Sequence, residues 1–340
     1  MSLSVHIQKK LGSFTLRADF DAENVTTALL GASGSGKSVT LKCIAGIMTP
    51  DCGSIVLDGR VLFDSEKRIN LPPQQRRIGY LFQQYALFPN MTVEQNICCG
   101  IRSGKREEKR QKTADAVKRF RLEGLEKKYP VQLSGGQQQR VALSRILLSE
   151  PDAILLDEPF SALDSFLKWD LELELSDLLR DFHGPILWVS HDLGECFRNC
   201  HSVCVMENGV SGTVTTMGDL LHRPATQGAA RLIGCHNFLP AHKCGSGVKI
   251  DGWDIVLPLS SEAEQVTLAI PDGAVSLKNG TTAARVKQII RDVDGNILLL
   301  EPTNAQEAPL LRVKAAEDTP FAQGAAVNFN IDADKCLCYL

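Results

Sequence analysis

The fold of this chain is decided by one glycine-rich run, Gly31-Ala32-Ser33-Gly34-Ser35-Gly36-Lys37-Ser38-Val39. Its first eight residues match the pattern G-x-x-x-x-G-K-[ST], in which glycines let successive backbone N–H groups surround a phosphate. A β-prone segment, Val25–Leu30, precedes the run, and a segment of helical character, Val39–Ile47, follows it. Strand, loop and helix in this order predict a phosphate-binding loop at a helix N-terminus. A glycine-rich turn that binds nothing is the alternative interpretation.

Four side chains carry the chemistry that such a loop needs. We expect Lys37 to contact the β- and γ-phosphates of a nucleotide and the Ser38 hydroxyl to bind Mg²⁺. The apolar segment Ala153–Leu156 ends in Asp157 and Glu158. Because ligands of open α/β sheets bind at the carboxyl ends of strands, we expect Asp157 to hold Mg²⁺ and Glu158 to polarise the attacking water. An acidic strand end with no catalytic role is the alternative.

The bulk composition indicates a globular protein of about two domains. The chain has 340 residues, of which 44% are hydrophobic and 23% charged, and a formal net charge of −3. This charge disfavours a nucleic-acid binder that relies on bulk positive charge. No apolar run approaches the ~20 residues that span a bilayer, and the N-terminus does not resemble a signal peptide, so we expect a cytoplasmic protein. For the eleven cysteines we expect reduced, mostly buried thiols.

Composition also divides the chain into regions. Residues 84–150 are rich in Gln, Lys, Arg and Glu and are predicted to be helical. The runs Ala153–Leu156 and Pro185–Val189 are continuously apolar, which is typical of a parallel sheet that is buried on both faces. From about residue 240, alternating and β-branched patterns with an Asp294-Gly295 hairpin signal predict a small all-β tail.

The most specific stretch is the octet LSGGQQQR, Leu133–Arg140. Ser134 and Gln137 fit a capping box at a helix start, and Gly135 and Gly136 between them leave backbone N–H groups open to an anion. The octet resembles the signature motif of the ABC transporter ATPases. In that family the motif completes the nucleotide site of the opposite subunit, so the resemblance implies a homodimer with two ATP molecules between its subunits.

The other motifs of that family are present in order. Gln83, within Gly79–Pro89, resembles the Q-loop glutamine, which implies a catalytic role and a contact to Mg²⁺. Ser161–Asp164 resembles the D-loop, which ends at Asp164. His191, which directly follows the apolar strand Ile186–Ser190, resembles the switch histidine that senses the γ-phosphate. The family also stacks an aromatic ring on adenine, for which Phe14 is our candidate, and a core phenylalanine is the equal alternative.

The resemblance implies an α/β P-loop ATPase fold over residues 1–235, with a helical subdomain at about 84–150. A small β-barrel regulatory domain of the TOBE or Mop type, with an OB-like fold, is expected over residues 236–340. The 96 residues between Lys37 and Ser134 are too few for the long coiled coil of DNA-repair relatives, and ribosomal relatives carry two ATPase units. The segment Tyr85–Val93 is similar to the corresponding segment of importer ATPases, which in that group contacts the permease.

Within the importers, the chain is similar to the ATP-binding subunits for molybdate, on the segments Leu57–Asp64, Ile69–Pro73 and Gly234–Phe238. This implies ATP and Mg²⁺ as cofactors, integral membrane permease subunits as partners, and an indirect link to an extracytoplasmic solute-binding protein. The subunit would be peripheral, on the cytoplasmic face of the inner membrane. Sulfate or thiosulfate import is the close alternative, and a soluble ATP-driven switch without a permease is a different class. Ala269–Asp272 stands where the family has an Ile-Arg-Pro-Glu motif, so no oxyanion ligands are predicted in the tail.

Overall fold

The computed structural model of the protein describes residues 1–161, 165–278, 280–293, 295–303, 308–316 and 321–340. They form two compact units, Met1–Gly218 and Asp219–Leu340. The predicted domain limit between residues 235 and 236, and the limits of the helical subdomain, stay predictions. Within the described ranges, no helix has both the length and the apolar character needed to cross a membrane.

The first unit is built on one mixed sheet of eleven strands. These are β1 (Leu3–Leu11), β2 (Phe14–Ala22), β3 (Thr26–Leu30), β4 (Cys52–Leu57), β5 (Arg60–Asp64), β6 (Ile69–Asn70), β7 (Ile78–Leu81), β8 (Ala153–Asp157), β9 (Ile186–Ser190), β10 (Ser202–Glu207) and β11 (Val210–Thr216). Their order is β6-β5-β4-β1-β2-β11-β10-β3-β9-β8-β7. The strands from β10 to β7 are mutually parallel. Strands β8 and β9 are buried at every position, as predicted for a sheet covered on both faces.

Seven α-helices in the described part of the chain accompany this sheet. They are α1 (Lys37–Ala45), α2 (Pro73–Arg76), α3 (Val93–Cys98), α4 (Arg106–Arg119), α5 (Gly135–Leu147), α6 (Ser165–Leu179) and α7 (Leu193–Asn199). An eighth, α8 (Met217–His222), crosses the limit between the units. Helices α3, α4 and α5 lie in the region predicted to be helical, and α3 packs against both of the others.

Helix α1 begins at Lys37, two residues before the predicted start at Val39. Gly36 has φ 105°, a left-handed conformation that turns the chain into the helix directly after the loop. At the other end, the buried Arg76 guanidinium donates hydrogen bonds of 2.8 Å to the carbonyl oxygens of Cys43 and Ile44. A cation at a helix C-terminus satisfies orphan carbonyls and complements the helix dipole, so both ends of α1 are fixed.

The second unit contains helix α9 (Gln227–Leu232) and two antiparallel sheets, which confirms the predicted all-β tail. One sheet has the order β14-β13-β12-β15-β21 and the other β16-β20-β17-β18-β19. The strands are β12 (Asn237–Cys244), β13 (Gly247–Ile250), β14 (Val256–Leu257), β15 (Gln265–Ile270), β16 (Val275–Ser276), β17 (Thr282–Asp292), β18 (Gly295–Pro302), β19 (Leu311–Ala315), β20 (Ala326–Ile331) and β21 (Leu337–Tyr339).

One apolar cluster from both sheets forms the core of this unit. At its centre the Trp253 and Phe329 rings meet edge to face, with centroids 5.7 Å apart. The predicted hairpin joins β17 to β18, with Asp292 opposite Gly295. Asp294, the other half of the hairpin signal, lies outside the described residues.

Candidate functional site

The glycine-rich loop lies between the end of β3 and the start of α1, and it encloses a buried cation. The Lys37 side chain is 4% exposed, and its Nζ donates hydrogen bonds to the carbonyl oxygens of Gly31 (2.7 Å) and Ala32 (2.9 Å). Burial lowers the pKa of Lys37, an effect that the negative charges of Glu158 and Asp157 partly oppose. A buried ammonium inside a loop of backbone amides is a site for an anion.

The loop backbone needs its glycines. A Cβ on Gly31 would lie 2.3 Å from the carbonyl oxygen of Met206, so only glycine fits this approach. Gly36, the N-cap of α1, offers no side-chain hydrogen bond to the helix. The first N–H groups of α1 are therefore without a side-chain cap, which suits a phosphate at this end.

Ser38 and Asp157 meet beside this loop. The Ser38 Oγ donates a hydrogen bond of 2.7 Å to Asp157 Oδ1, and the Tyr80 hydroxyl donates one of 2.8 Å to Asp157 Oδ2. Asp157 ends β8 and is 6% exposed. A carboxylate and a hydroxyl are oxygen donors of the kind that Mg²⁺ takes together with phosphate oxygens and water, so the donor set fits this ion.

Glu158 and His191 follow the ends of the neighbouring strands β8 and β9. Glu158 has φ 48°, and its N–H donates to the carbonyl oxygen of Val189 over 3.1 Å. Its Oε1 lies 3.6 Å from Nδ1 of His191, whose side chain is 62% exposed while that of Glu158 is 24% exposed. The structure therefore brings a carboxylate and an imidazole together at the edge predicted to carry catalysis.

Gln83 follows β7, and its Nε2 donates a hydrogen bond of 3.1 Å to Ser161 Oγ. The next residues bend sharply, with φ 56° at Tyr85 and 45° at Ala86. The Arg145 guanidinium donates to the carbonyl oxygens of both residues, at 3.3 and 2.9 Å. Because Arg145 is on α5, this contact ties the Gln83 segment to the helix that begins at Ser134.

The turn Ser134–Gln137 forms the predicted capping box. Ser134 Oγ accepts from the Gln137 N–H at 3.4 Å, and Gln137 Oε1 accepts from the Ser134 N–H at 3.0 Å. A Cβ on Gly136 would lie 3.0 Å from a methyl group of Leu171, whereas Ser134 is exposed. In the part of the chain that the structure describes, this turn makes no hydrogen bond to the phosphate loop.

Three predicted site residues remain to be located. The Phe14 ring lies against the phosphate loop, since its Cζ would be 3.2 Å from a Cβ on Gly36. Val39 lies in the first turn of α1 and is half-buried. Asp164, the D-loop candidate, lies outside the described residues, as do Ala162 and Leu163.

Sequence reasoning missed two sets of contacts. The first is the hydrogen bond from Tyr80 to Asp157, which depends on the register of β7 against β8. The second lies beside His191, where the Lys168 ammonium contacts Asp192 Oδ2 at 2.6 Å and Glu195 Oε2 at 3.0 Å. Burial raises the pKa of Glu195, against the opposing effect of hydrogen bonds from Trp188 and Lys168. This network joins α6 to α7.

Comparison with known proteins agrees with this geometry. The ABC transporter family profile matches residues 18–161. A molybdenum import ATP-binding protein of Paramagnetospirillum magneticum is 37% identical over 82% of this chain and 82% of its own length. One from Mannheimia succiniciproducens is 32% identical over 98% of this chain and 91% of its own. A dimeric ATP-binding cassette in a post-hydrolysis state, bound to ADP and phosphate, is 28% identical, covers 64% of this chain and 99% of its own, and has a TM-score of 0.54. The chain therefore belongs to the ABC transporter ATPases, among the ATP-binding proteins of importers.

Proposed function

We propose that this chain hydrolyses ATP to energise the import of an oxyanion, molybdate. The observation that carries the choice of solute is the extent of the match to the Mannheimia molybdenum import protein, 98% of this chain. A match of that extent includes the all-β unit from Asp219 onward as well as the ATPase unit. Matches to import proteins for spermidine and putrescine or for sulfate and thiosulfate cover 69–79% of this chain, so a match that continues through the whole tail is the more specific one.

In the proposed site, the loop Gly31–Ser38 and Val39 surround the phosphates, and Lys37 neutralises the β- and γ-phosphate charge. Ser38 and Asp157 would hold Mg²⁺ together with Gln83, which follows β7, and the bound ion would neutralise charge that develops on the phosphates. Support for this assignment comes from the 2.7 Å contact between Ser38 and Asp157.

The catalytic roles in this proposal fall to three side chains. Glu158 polarises the attacking water, and His191 donates to the γ-phosphate from a position 3.6 Å from that carboxylate. Gln83 would help to position the water. We assign the stacking of adenine to Phe14, whose ring lies beside the phosphate loop.

We further propose that two copies of the chain act as a homodimer. Ser134–Gln137 of one copy then faces the ATP held by the other. The self-capped, exposed turn at Ser134 supports this arrangement, since it offers the backbone N–H groups of a helix start at the surface. A solved neighbour of this fold is itself dimeric.

The partners in this proposal are integral membrane permease subunits and, through them, an extracytoplasmic solute-binding protein. The ATPase domain of residues 1–235 would attach peripherally at the cytoplasmic face of the inner membrane. The domain of residues 236–340 would regulate it. Nucleic acid has no role in this scheme.

Uptake of labelled molybdate and sulfate in cells with and without the gene tests the solute. We expect molybdate uptake to be lost with the gene and restored by it, with sulfate uptake unchanged. Loss of sulfate uptake alone would assign the alternative solute, and unchanged uptake of both would contradict the oxyanion proposal.

The catalytic assignment is tested with Glu158→Gln in the complex with the permease. The amide cannot polarise water as a carboxylate does, so ATP should bind normally while turnover falls by about 10²–10⁴-fold. Equilibrium binding of ATP and release of phosphate measure the two effects separately. Full turnover in this variant would remove Glu158 from the mechanism.

A further inference from the structure

Tyr80 lies beside Asp157 because of the register of two parallel strands. In the pairing of β7 with β8, Tyr80 is opposite Leu155, two residues before Asp157. Side chains alternate along a strand, so Tyr80, Leu155 and Asp157 all point to the same face of the sheet. A tyrosine at this position is long enough to reach the carboxylate at the end of the neighbouring strand.

The Asp157 carboxylate therefore has a separate donor on each oxygen. Ser38 donates to Oδ1 at 2.7 Å, and Tyr80 donates to Oδ2 at 2.8 Å. A carboxylate as buried as this one, 6% exposed, is stabilised by hydrogen bonds to its oxygens. The Tyr80 phenol is the donor in its contact, because the ionised carboxylate can only accept.

The Tyr80 ring is itself held in place. It packs against Phe82, with centroids 4.2 Å apart and planes inclined by 32°. Phe82 directly precedes Gln83, so the Tyr80 ring links the segment of Gln83, which follows β7, to the end of β8 at Asp157. A donor fixed in this way restricts rotation of the carboxylate plane.

We propose that Tyr80 is a positioning residue for magnesium: by holding Oδ2, it keeps the other oxygen of Asp157 directed to Ser38 and to the ion. The inference rests on the proposed magnesium site. Mg²⁺ requires near-ideal octahedral geometry, so a ligand that rotates freely binds it less well. Hydrogen-bond partners of metal ligands typically contribute about 10- to 100-fold to metal affinity.

The test is Tyr80→Phe, which removes one hydroxyl and keeps the ring. We expect the Mg²⁺ concentration for half-maximal binding of a fluorescent ATP analogue to rise by about tenfold, the low end of that range, because phosphate ligands remain. Binding of the analogue without metal should not change. In ATPase assays with the permease, excess Mg²⁺ should restore the rate of the variant, since only metal affinity is lost.

Tyr85→Phe is the matched control. Tyr85 is 5% exposed and its hydroxyl is buried without a hydrogen-bond partner in the described structure, so the same chemical change there should leave the Mg²⁺ dependence unaltered. Tyr80→Met, which keeps an apolar contact to Phe82, should repeat the effect of Tyr80→Phe. Metal-free binding of the analogue shows in each case that the variant is folded.

The outcomes separate this inference from the proposed function. If nucleotide binding by the wild-type protein does not depend on Mg²⁺ concentration, the proposed magnesium site itself is contradicted. A normal Mg²⁺ dependence in wild type, with identical curves for Tyr80→Phe and Tyr85→Phe, would overturn the role of Tyr80 alone. A tenfold shift in Tyr80→Phe that Tyr85→Phe does not share would support it.

Discussion

Two glycine-rich turns begin helices in the ATPase unit, and they satisfy their polar groups in opposite ways. At the start of α1, Gly36 offers no side-chain cap, and the buried Lys37 turns back onto the loop carbonyl oxygens. At the start of α5, Ser134 and Gln137 cap each other, and Ser134 is exposed. One turn is organised around a buried charge, whereas the other caps two of its own N–H groups and faces outward.

The difference indicates separate tasks for two turns of similar composition. A loop that buries an ammonium gains from an anion that neutralises it, so the first turn should control whether nucleotide binds. A self-capped turn needs no ligand for its stability, so the second should affect turnover in the dimer but not binding to one subunit. The following predictions test this division of roles, beginning with the largest effect.

Lys37→Met should almost abolish nucleotide binding. Two charge-assisted hydrogen bonds to phosphate are lost, each worth about 1.5–3 kcal/mol, so the Kd for ATP should rise by about 1,000-fold. Calorimetric titration of the purified protein measures this change. Lys42→Met, the same substitution later in α1, should bind ATP normally. Equal loss in both variants would mean that the helix as a whole, and not the buried ammonium, decides binding.

Ser134→Asp should separate stability from turnover. Aspartate is as good an N-cap as serine, so the melting temperature should hold, but its charge beside the partner's phosphates should cost several kcal/mol, about 100-fold in ATP hydrolysis. Ser134→Ala removes the cap without adding a charge. It should therefore lose about 1 kcal/mol of stability, and its ATP hydrolysis should fall less than that of Ser134→Asp. ATP binding to the isolated subunit should survive in both, and its loss would contradict the division of roles.

Glycine replacements should destabilise the first turn more than the second. Alanine at position 36 would need φ near 105° and would bring its Cβ within 2.8 Å of Leu16, so we expect a loss of about 2–3 kcal/mol. Gly136→Ala faces only a flexible Leu171 methyl group at 3.0 Å and gains helix propensity, which leaves a net change of about 1 kcal/mol or less. Urea unfolding measures both, and the opposite ranking would refute this prediction.

Alkaline pH should weaken nucleotide binding through the first turn only. Burial lowers the pKa of Lys37 below its usual 10.5, and the ammonium attracts phosphate only while protonated. The Kd should therefore begin to rise below pH 10.5, by about tenfold per pH unit once the pKa is passed. Lys37→Arg, which stays charged, should give a flatter profile of Kd against pH. If wild type and Lys37→Arg gave the same profile of Kd against pH, a titrating group other than Lys37 would be responsible. The second turn cannot supply that group, since Ser134 and Gln137 do not titrate.

The features that follow from local pattern were predictable. The phosphate loop, the buried strands β8 and β9, the helical region after residue 84 and the all-β tail all depend on short-range periodicity and glycine placement. The capping box at Ser134 is equally local, because its partners are three residues apart. In each case the interactions that form the element lie within a few residues of one another.

What the sequence did not reveal depends on register and tertiary packing. The contact of Tyr80 with Asp157 requires β7 to lie beside β8 in one particular register. The helix starts at Lys37 because of the conformation of Gly36, which a motif does not encode. The association of Lys168 with Asp192 and Glu195 joins two helices. The partners in these contacts are far apart in the sequence, so only the folded structure shows that they are neighbours.

The backbone at Glu158 has a consequence for how this protein can change over evolutionary or laboratory time. A glutamate at φ 48° is held in a conformation that glycine or asparagine adopts at lower cost. Replacement by either would relieve a strain on the order of 1 kcal/mol while removing the carboxylate. With the role proposed for Glu158, selection for heat resistance alone would favour inactive proteins at this position, and selection for transport would oppose that change.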